Sequence, residues 1–371
     1  SASEFRRIYH CFMNRILIGI LGFLLLFLGC TKEKVGYDPT PYTLKIPSHF
    51  PQMNIPADNP MTEEGVLLGR MLFYEKKLSL DYSISCGTCH APDASFSDPN
   101  PFSQGVNGTL GTRNAMALIN LGWQTSFFWD GRAKTLEDQI LEPVPNPVEM
   151  HLQWKDAVAR LKSDQVYRNQ FYKAYGVIDF DSTHVAKALA QFLRTMISGE
   201  SRYDVMYKFA NNIPLNASEL AIKNTITPEE WAGYDSFQSL NGADCFHCHN
   251  GALVQVQKFS NNGLDATFTD LGRGAITHNP NDNGKFKVPT LRNIALSAPY
   301  MHDGRFANLD EVIEHYSTGV QHSATIDPLM EFASVGGVQL NTEQRNQLKA
   351  FLLTLTDYKF VTNPDFKPLN P

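Results

Sequence analysis

The sequence contains 371 residues, with 32 Lys and Arg against 38 Asp and Glu and a formal net charge of −6. This length predicts about two domains of ordinary size, and the mildly acidic balance disfavours nucleic acid as a partner. The hydrophobic content of 43% excludes a disordered chain, and six cysteines are too few for a disulfide-stabilised scaffold of this length.

The longest apolar run lies near the N-terminus, at residues 16–28. It is shorter than the ~20 residues that a membrane-spanning helix needs, so we interpret residues 1–30 as a signal peptide with Met13 as the natural start. Cys30 follows a glycine, which is typical of bacterial lipoproteins that are lipidated on this cysteine and anchored to the membrane. The alternative is an ordinary secretory signal with an incidental cysteine. Both predict export to the periplasm, with a tether over residues 31–55.

Two short motifs carry most of the chemistry: Cys86-Gly87-Thr88-Cys89-His90 and Cys245-Phe246-His247-Cys248-His249. Cys-x-x-Cys-His is the attachment sequence of c-type haem, because two thiols add to the porphyrin vinyl groups and the adjacent histidine ligates the iron. Structural zinc sites and redox thiol pairs also use Cys-x-x-Cys, but neither requires a histidine directly after the second cysteine. The motifs therefore predict two covalently bound haems c, on His90 and His249, with His247 as a spacer.

Helix signals precede and follow each motif. A helix is expected over residues 62–74, and Thr227-Pro228-Glu229-Glu230 is a capping box with proline at the first helical position. Apolar stripes at helical spacing close both units. The first stripe is Val185, Leu189, Phe192, Leu193, Met196 and Ile197; the second, after Asn341 at the cap and Gln344 at the third helical position, is Leu348, Phe351, Leu352 and Leu355. No alternating apolar run predicts a sheet, so the fold class is mainly α.

The two halves of the chain share more than these motifs. Three segments recur in the same order: Arg113-Asn114-Ala115 as Arg292-Asn293-Ile294, Trp129-Asp130-Gly131-Arg132 as His302-Asp303-Gly304-Arg305, and residues 136–140 as 309–313. This order indicates internal duplication of one haem-binding unit. We expect two cytochrome-c-like haem domains, at residues 56–210 and 211–362, joined near 200–225 and followed by a tail at 363–371.

The repeats differ where Pro143 aligns with Tyr316. If this position faces the distal side of each haem, proline, which has no donor atom, leaves the first iron open, and a tyrosine phenolate closes the second. An open haem with a closed partner suits an enzyme that acts on peroxide. Alternatively, Tyr316 is a packed or interfacial side chain, or His315 or His322 is the ligand. Adjacent helical residues are ~100° apart, so only one of His315 and Tyr316 can face the ring.

Two polar residues, Gln139 and Glu149, flank Pro143. Cleavage of a peroxide O–O bond needs a group that takes a proton from one oxygen and delivers it to the other, and a carboxylate near the open iron can do both. Without that iron, a glutamate in this setting is more often a helix cap or a surface acid.

Together these segments resemble bacterial dihaem cytochrome c peroxidases and the related MauG enzymes. The resemblance covers roughly residues 55–360; its motifs are the two haem sequences, Trp129-Asp130-Gly131-Arg132 and residues 146–150, 286–293 and 299–305. It implies a peroxidatic first haem and an electron-transfer second haem. It further implies that Glu149 is the distal acid, Gln139 its amide partner and Trp129 an electron relay between the haems.

The resemblance also implies a calcium site between the domains, formed by Asn114 and the backbone carbonyls of Ser297 and Pro299. Oxygen ligands suit calcium, and Ser297 in place of the usual threonine matters little because the carbonyl is the ligand.

Two departures from the peroxidases of the family are informative. Tyr316 stands where they have a methionine ligand, as in MauG; because an anionic phenolate stabilises higher oxidation states of iron, the second haem is expected to be a weaker electron acceptor. Residues 91–113 contain no histidine, although the family's switching histidine loop is expected there, which disfavours reductive activation.

Three hypotheses follow. The first is a dihaem peroxidase that reduces hydrogen peroxide with electrons from a small cytochrome or cupredoxin. The second is a MauG-like oxidase that uses peroxide to oxidise residues of a partner protein. The third is a non-catalytic dihaem electron-transfer cytochrome, which Pro143 and Glu149 disfavour.

Overall fold

The computed structural model of the protein describes residues 37–369. The predicted signal peptide, Cys30 and the first part of the predicted tether lie outside these residues. Within the described range, no helix has the length and apolar character to cross a membrane.

Helices make up most of the regular structure in this range. Those of the first half are α1 (Glu63–Phe73), α2 (Cys86–Cys89), α3 (Leu136–Ile140), α4 (Trp154–Ser163), α5 (Gln165–Tyr175) and α6 (Ser182–Thr195). Those of the second half are α7 (Arg202–Ala210), α8 (Ala217–Lys223), α9 (Pro228–Phe237), α10 (Gly274–Thr277), α11 (Leu309–Glu314), α12 (Thr342–Leu353) and α13 (Tyr358–Thr362). Two short strands, β1 (Phe259–Ser260) and β2 (Phe286–Lys287), lie between them.

The first half is built around the packing of α1 against α6. The Thr62 side chain caps α1 by accepting a hydrogen bond from the Gly65 N–H, which confirms the predicted helix. Gly69 lets the two helices approach closely, because a Cβ there would lie 2.0 Å from the Ala188 backbone oxygen. Five residues of the predicted apolar stripe belong to the first hydrophobic core, whereas Ile197, which follows the end of α6, is only partly buried.

The second half repeats this arrangement with α9 against α12. Both predicted capping boxes form, Thr227 with Glu230 at the start of α9 and Asn341 with Gln344 at the start of α12. Gly233 is the contact point, because a Cβ there would lie 2.0 Å from a backbone oxygen of α12. The predicted stripe of α12 belongs to the second core.

Regular sheet among the described residues is limited to the antiparallel pair of β1 and β2, in which Phe259 faces Lys287. The prediction of a mainly α fold is therefore confirmed. β2 also ties the halves together, since the Lys287 N–H donates to the Trp129 carbonyl at 2.7 Å.

The hydrophobic cores do not follow the predicted boundaries along the chain. The buried face of α7, inside the range 56–210 expected for the first domain, belongs to the second core. Phe360 and Phe366, near the C-terminus, instead lie in the first core, where both rings contact Phe96. The expected tail therefore packs, because burial of its aromatic ring removes apolar surface from water. Of the described residues, those from Pro39 to Leu369 form one compact unit.

Residues 39–55, expected to be tether, are packed in the same way. Phe50 is buried, and His49 Nε2 lies 2.7 Å from Asp204 Oδ1. The buried Arg292 binds the same carboxylate through two nitrogens and lies over the Phe50 ring, with Cζ 4.8 Å from the centroid. Burial opposes ionisation of Asp204, but Arg292 and the hydrogen bonds outweigh it and hold the pKa of this carboxyl below its usual range.

Two turns, one in each half, share a local geometry. Gly131 and Gly304, in the two Asp-Gly-Arg segments, both have positive φ, 68° and 66°. An isolated bridge closes each turn, Phe127 with Ala133 in the first half and Tyr300 with Phe306 in the second.

A second shared feature lies upstream of these turns. Asn120 and Asn293 both adopt the left-handed conformation and begin a short 3-10 turn, Leu121–Trp123 and Ile294–Leu296 respectively. The sequence pairs Asn114 with Asn293, but Asn120, and not Asn114, shares the positive φ of Asn293.

Candidate active site

One large cavity, about 1160 Å³ in volume, contains both Cys-x-x-Cys-His motifs. It exceeds the ~300–1,000 Å³ of an ordinary small-molecule site. Its wall includes all the site residues predicted from the sequence: Cys86, Cys89, His90, Asn114, Trp129, Gln139, Pro143, Glu149, Cys245, Cys248, His249, Ser297, Pro299 and Tyr316. The fold thus brings residues from both halves of the chain to one enclosed space.

The first motif occupies α2. Cys86 and Cys89 are free thiols one helical turn apart, and His90 follows at the end of the helix. The Phe96 carbonyl accepts a hydrogen bond from His90 Nδ1 at 3.0 Å, which leaves Nε2 available to a metal. Burial lowers the pKa of His90 and so favours the neutral imidazole, which is the form that binds iron.

The second motif has the same Cys-x-x-Cys-His pattern but a different neighbourhood. Cys245 and Cys248 are free thiols, and burial lowers the pKa of His249 to about 4. His247 lies off the cavity wall, and its Nδ1 is 3.0 Å from Asp244 Oδ1. This position agrees with its prediction as a spacer.

The wall near Pro143 carries a buried acid. Burial raises the pKa of Glu149, and the Asn146 hydrogen bond opposes this only in part. Asn146 Nδ2 donates to Glu149 Oε1 at 2.7 Å and therefore orients the carboxylate. Gln139, on α3, lies on the same cavity wall. The arrangement places an acid–base group and an amide beside a residue that cannot ligate a metal.

The wall of the second half carries Tyr316, which lies in a short π-helical turn, His315–Gly319. Of the rival ligands, His315 is off the wall and its Nε2 donates to the Asn262 carbonyl at 3.1 Å, while His322 is exposed and off the wall. Asn262 also reaches the phenol, with Nδ2 2.9 Å from Tyr316 Oη. Burial raises the pKa of Tyr316. Tyr316 is therefore the one of these three side chains that faces the cavity.

Trp129 lies on the same wall, between the two halves. Its indole Nε1 donates to the Asn114 carbonyl at 2.8 Å, and its own carbonyl accepts from Lys287 N. One bond comes from each half of the chain, so the ring is fixed in place.

A family model described as di-haem cytochrome c peroxidase matches residues 63–212. The methylamine utilization protein MauG of Methylophilus methylotrophus is 30% identical over 303 residues, which cover 81% of this chain and 84% of that protein. The chain belongs to the dihaem cytochrome c peroxidase and MauG family. Cytochrome c551 peroxidase of Nitrosomonas europaea is 32% identical over 330 residues, 86% of this chain and 87% of that protein.

Among solved structures, this member of the peroxidase and MauG family is similar to a MauG-like protein associated with microbial copper homeostasis. The TM-score is 0.78 at 32% identity, and the match covers 88% of this chain and 99% of that one.

Family membership implies c-type haem, and the residues present fit it. Two pairs of free thiols and two histidines face a cavity whose wall is largely apolar, as a porphyrin requires. Cys86, Cys89 and His90 would hold one haem, and Cys245, Cys248 and His249 the other.

Sequence reasoning missed two residues of this site, Asn262 and Lys287. Asn262 meets Tyr316 across 54 positions of the chain, and neither residue belongs to a motif that predicts the contact. Lys287 stood inside a segment that carried the family resemblance, but nothing in its spacing indicated that its side chain is buried.

Proposed function

We propose that the protein is a dihaem c-type peroxidase that reduces hydrogen peroxide to water at the first haem, with electrons that arrive through the second. When bound, the haems supply iron centres that exchange single electrons. Each peroxide takes up two electrons and two protons and yields two waters. The observation that carries the proposal is the pairing, on one cavity wall, of Pro143, which has no donor atom, with the buried carboxylate of Glu149.

Glu149 is the group that moves a proton in this proposal. Its Oε1 accepts from Asn146, so Oε2 is available to the substrate. The ionised carboxylate takes a proton from one peroxide oxygen and returns it to the other as the O–O bond breaks. Gln139 offers an amide that can hold the peroxide by hydrogen bonds.

The substitution Glu149→Gln tests this role. We expect peroxide cleavage to slow by about 10²–10⁴-fold, the usual contribution of general acid–base catalysis, with haem content unchanged. The matched control is Glu142→Gln, because the Glu142 carboxylate is 41% exposed and paired with Arg132. An unchanged rate in the Glu149 variant, with full haem content, would remove the acid–base role.

Tyr316 supports a second candidate, a MauG-like oxidase that uses peroxide to oxidise residues of a partner protein. A phenolate on the second haem would disfavour its reduction, and Trp129 would relay electrons between the two haems. Steady consumption of peroxide with a reduced small cytochrome or cupredoxin supports the peroxidase. Poor turnover with such donors, together with oxidation of a partner protein, supports the oxidase.

The electron paramagnetic resonance spectrum of the ferric protein distinguishes both enzymes from a plain electron-transfer cytochrome. An open first haem gives a high-spin signal. Two low-spin haems without that signal would favour the non-catalytic cytochrome.

We further infer a calcium site at Asn114, with the carbonyls of Ser297 and Pro299. The Asn114 Nδ2 atom donates to the carbonyls of Asn100 and Pro101, which leaves Oδ1 without a donor among the described residues. Residues 37–369 hold no group of three or more His, Cys, Asp or Glu placed to bind a metal, so this proposal uses neutral oxygens. Calcium retained after dialysis, and lost from Asn114→Ala, is the expected result.

The cellular location of the protein and the internal duplication of its chain are also proposals. We infer export to the periplasm through the predicted signal peptide and a lipid on Cys30, which mass spectrometry of the mature N-terminus would detect. Internal duplication is supported by the paired helix contacts at Gly69 and Gly233 and by the two similar Asp-Gly-Arg turns.

A further inference from the structure

Lys287 is a buried amine without an anionic partner among the described residues. It lies on the wall of the large cavity and is only 5% exposed. Its Nζ takes part in none of the ion pairs or hydrogen bonds among residues 37–369; the contact it makes is with the Phe127 ring, whose centroid is 5.7 Å away. Lysine is almost never buried to this degree unless its charge is paired. The side chain therefore needs an explanation that the protein atoms alone do not supply.

The other two cationic side chains on the cavity wall, Arg113 and Arg132, are both paired with carboxylates. Arg113 lies 2.6 Å from Asp130 and 2.7 Å from Asp270, and Arg132 lies 3.0 Å from Asp130 and 2.7 Å from Glu142. These carboxylates are thus already engaged, and the acid of the first haem site, Glu149, is held by Asn146. Burial, with no opposing charge, lowers the pKa of Lys287 to about 7. An anion beside it would reverse that effect.

The partner must therefore be a negative group that a ligand brings into the cavity. Each haem carries two propionate carboxylates, and two haems belong in this cavity. We infer that Lys287 binds a propionate of one of the two haems through a charge-assisted hydrogen bond. The inference rests on haem in the cavity, and not on the reaction that the haems perform. Because Lys287 N donates to the Trp129 carbonyl, this pair would lie beside the proposed relay.

The test compares reduction potentials in the haem-loaded protein. Lys287→Met removes the charge and keeps most of the side-chain length, Lys287→Arg keeps the charge, and Lys285→Met removes a part-exposed lysine already paired with Asp282. A positive charge near a haem favours its reduced form. We expect Lys287→Met to lower the equilibrium constant for one-electron reduction of one haem by about tenfold, or about 59 mV. The two controls should leave both potentials unchanged.

Haem content, measured by pyridine haemochrome assay, accompanies each titration. Loss of one haem in Lys287→Met, with full content in Lys287→Arg and Lys285→Met, would equally support the inference. Unchanged potentials at full haem content in Lys287→Met would overturn it, as would a Lys287→Arg variant that behaves like Lys287→Met. Neither readout uses peroxide, so failure here leaves the proposed peroxidase intact, and an inactive enzyme with these shifts leaves the propionate contact intact.

Discussion

Burial distinguishes Glu149 from the nearby acid Glu142. The Glu142 side chain is 41% exposed and paired with Arg132, whereas Glu149 lies on the cavity wall and accepts a hydrogen bond from Asn146. Desolvation disfavours the charged form of a carboxyl and so raises its pKa.

This shift predicts a pH dependence. Only the ionised form of Glu149 can accept a proton, and its raised pKa keeps it protonated at pH values where an ordinary glutamate, with pKa about 4.3, is ionised. The rate of peroxide cleavage should therefore rise with pH through an apparent pKa above that value. Stopped-flow measurement between about pH 4 and pH 8 checks this, and Glu149→Gln should flatten the profile. If Glu149→Gln keeps the same rise of the rate with pH, the titrating group is not Glu149.

Substitutions of Tyr316 and Asn262 should shift the reduction potential of the second haem in opposite directions. Replacing an anionic phenolate by a neutral thioether in Tyr316→Met should raise the reduction potential. Asn262→Leu should lower it, because removing the Nδ2 donor concentrates negative charge on the phenolate oxygen. We expect about tenfold in the reduction equilibrium for the loss of one charge-assisted hydrogen bond.

Spectroelectrochemical titration of the second haem measures both shifts. Asn281→Leu, on an exposed turn, is the control for Asn262→Leu. Equal potentials in the native protein and in both variants would mean that Tyr316 is not a ligand.

At the scale of elements, both helix pairs depend on a glycine at the point of closest contact. Gly69 in α1 and Gly233 in α9 each face a backbone oxygen of the partner helix, which cannot move as a flexible side chain can. Since the haem motifs follow α1 and α9 closely in the chain, these helix contacts help to position both motifs.

Gly233→Ala should therefore destabilise the protein, although alanine is the better helix former by about 1 kcal/mol. The added Cβ would lie 2.0 Å from an oxygen of α12, so we expect the free energy of unfolding to fall by about 1–3 kcal/mol in denaturant titrations. Asp235→Ala, exposed on the same helix, gains propensity without the contact and should be neutral or stabilising. A Gly233 variant as stable as the control would show that α9 and α12 can separate without loss.

At the scale of the whole molecule, the chain ends hold the cores together. Near the C-terminus, Phe366 lies in the first core after the chain has passed through the second. Arg70 in α1 donates to the carbonyls of Lys367 and Pro364, at 2.8 and 2.6 Å. Near the N-terminus, His49 contacts Asp204 of the second core region. Both cores are thus expected to unfold together.

Phe366→Ala tests this coupling. The loss of a buried aromatic ring should lower the free energy of unfolding by about 3–5 kcal/mol. Thermal unfolding followed at the absorption of each haem should shift to lower temperature for both haems at once. Leu369→Ala, at a 42% exposed position, is the control. A shift confined to the first haem would mean that the halves unfold independently.

Features that depend on a few neighbouring residues could be predicted from the sequence. Each Cys-x-x-Cys-His motif lies within five positions, and the helix caps at Thr62, Thr227 and Asn341 need only the next turn of chain. For these, local covalent geometry is enough, and the predicted helices and haem motifs follow directly from it.

Contacts between residues far apart in the chain could be read only from the folded structure. Three of them join distant segments: Asn262 with Tyr316, Phe366 with the first core and His49 with Asp204. A fourth feature, the burial of the Lys287 amine in the cavity, depends on how the surrounding segments pack. Such contacts follow from the path of the whole backbone and from burial, neither of which the local pattern around any one of these residues specifies.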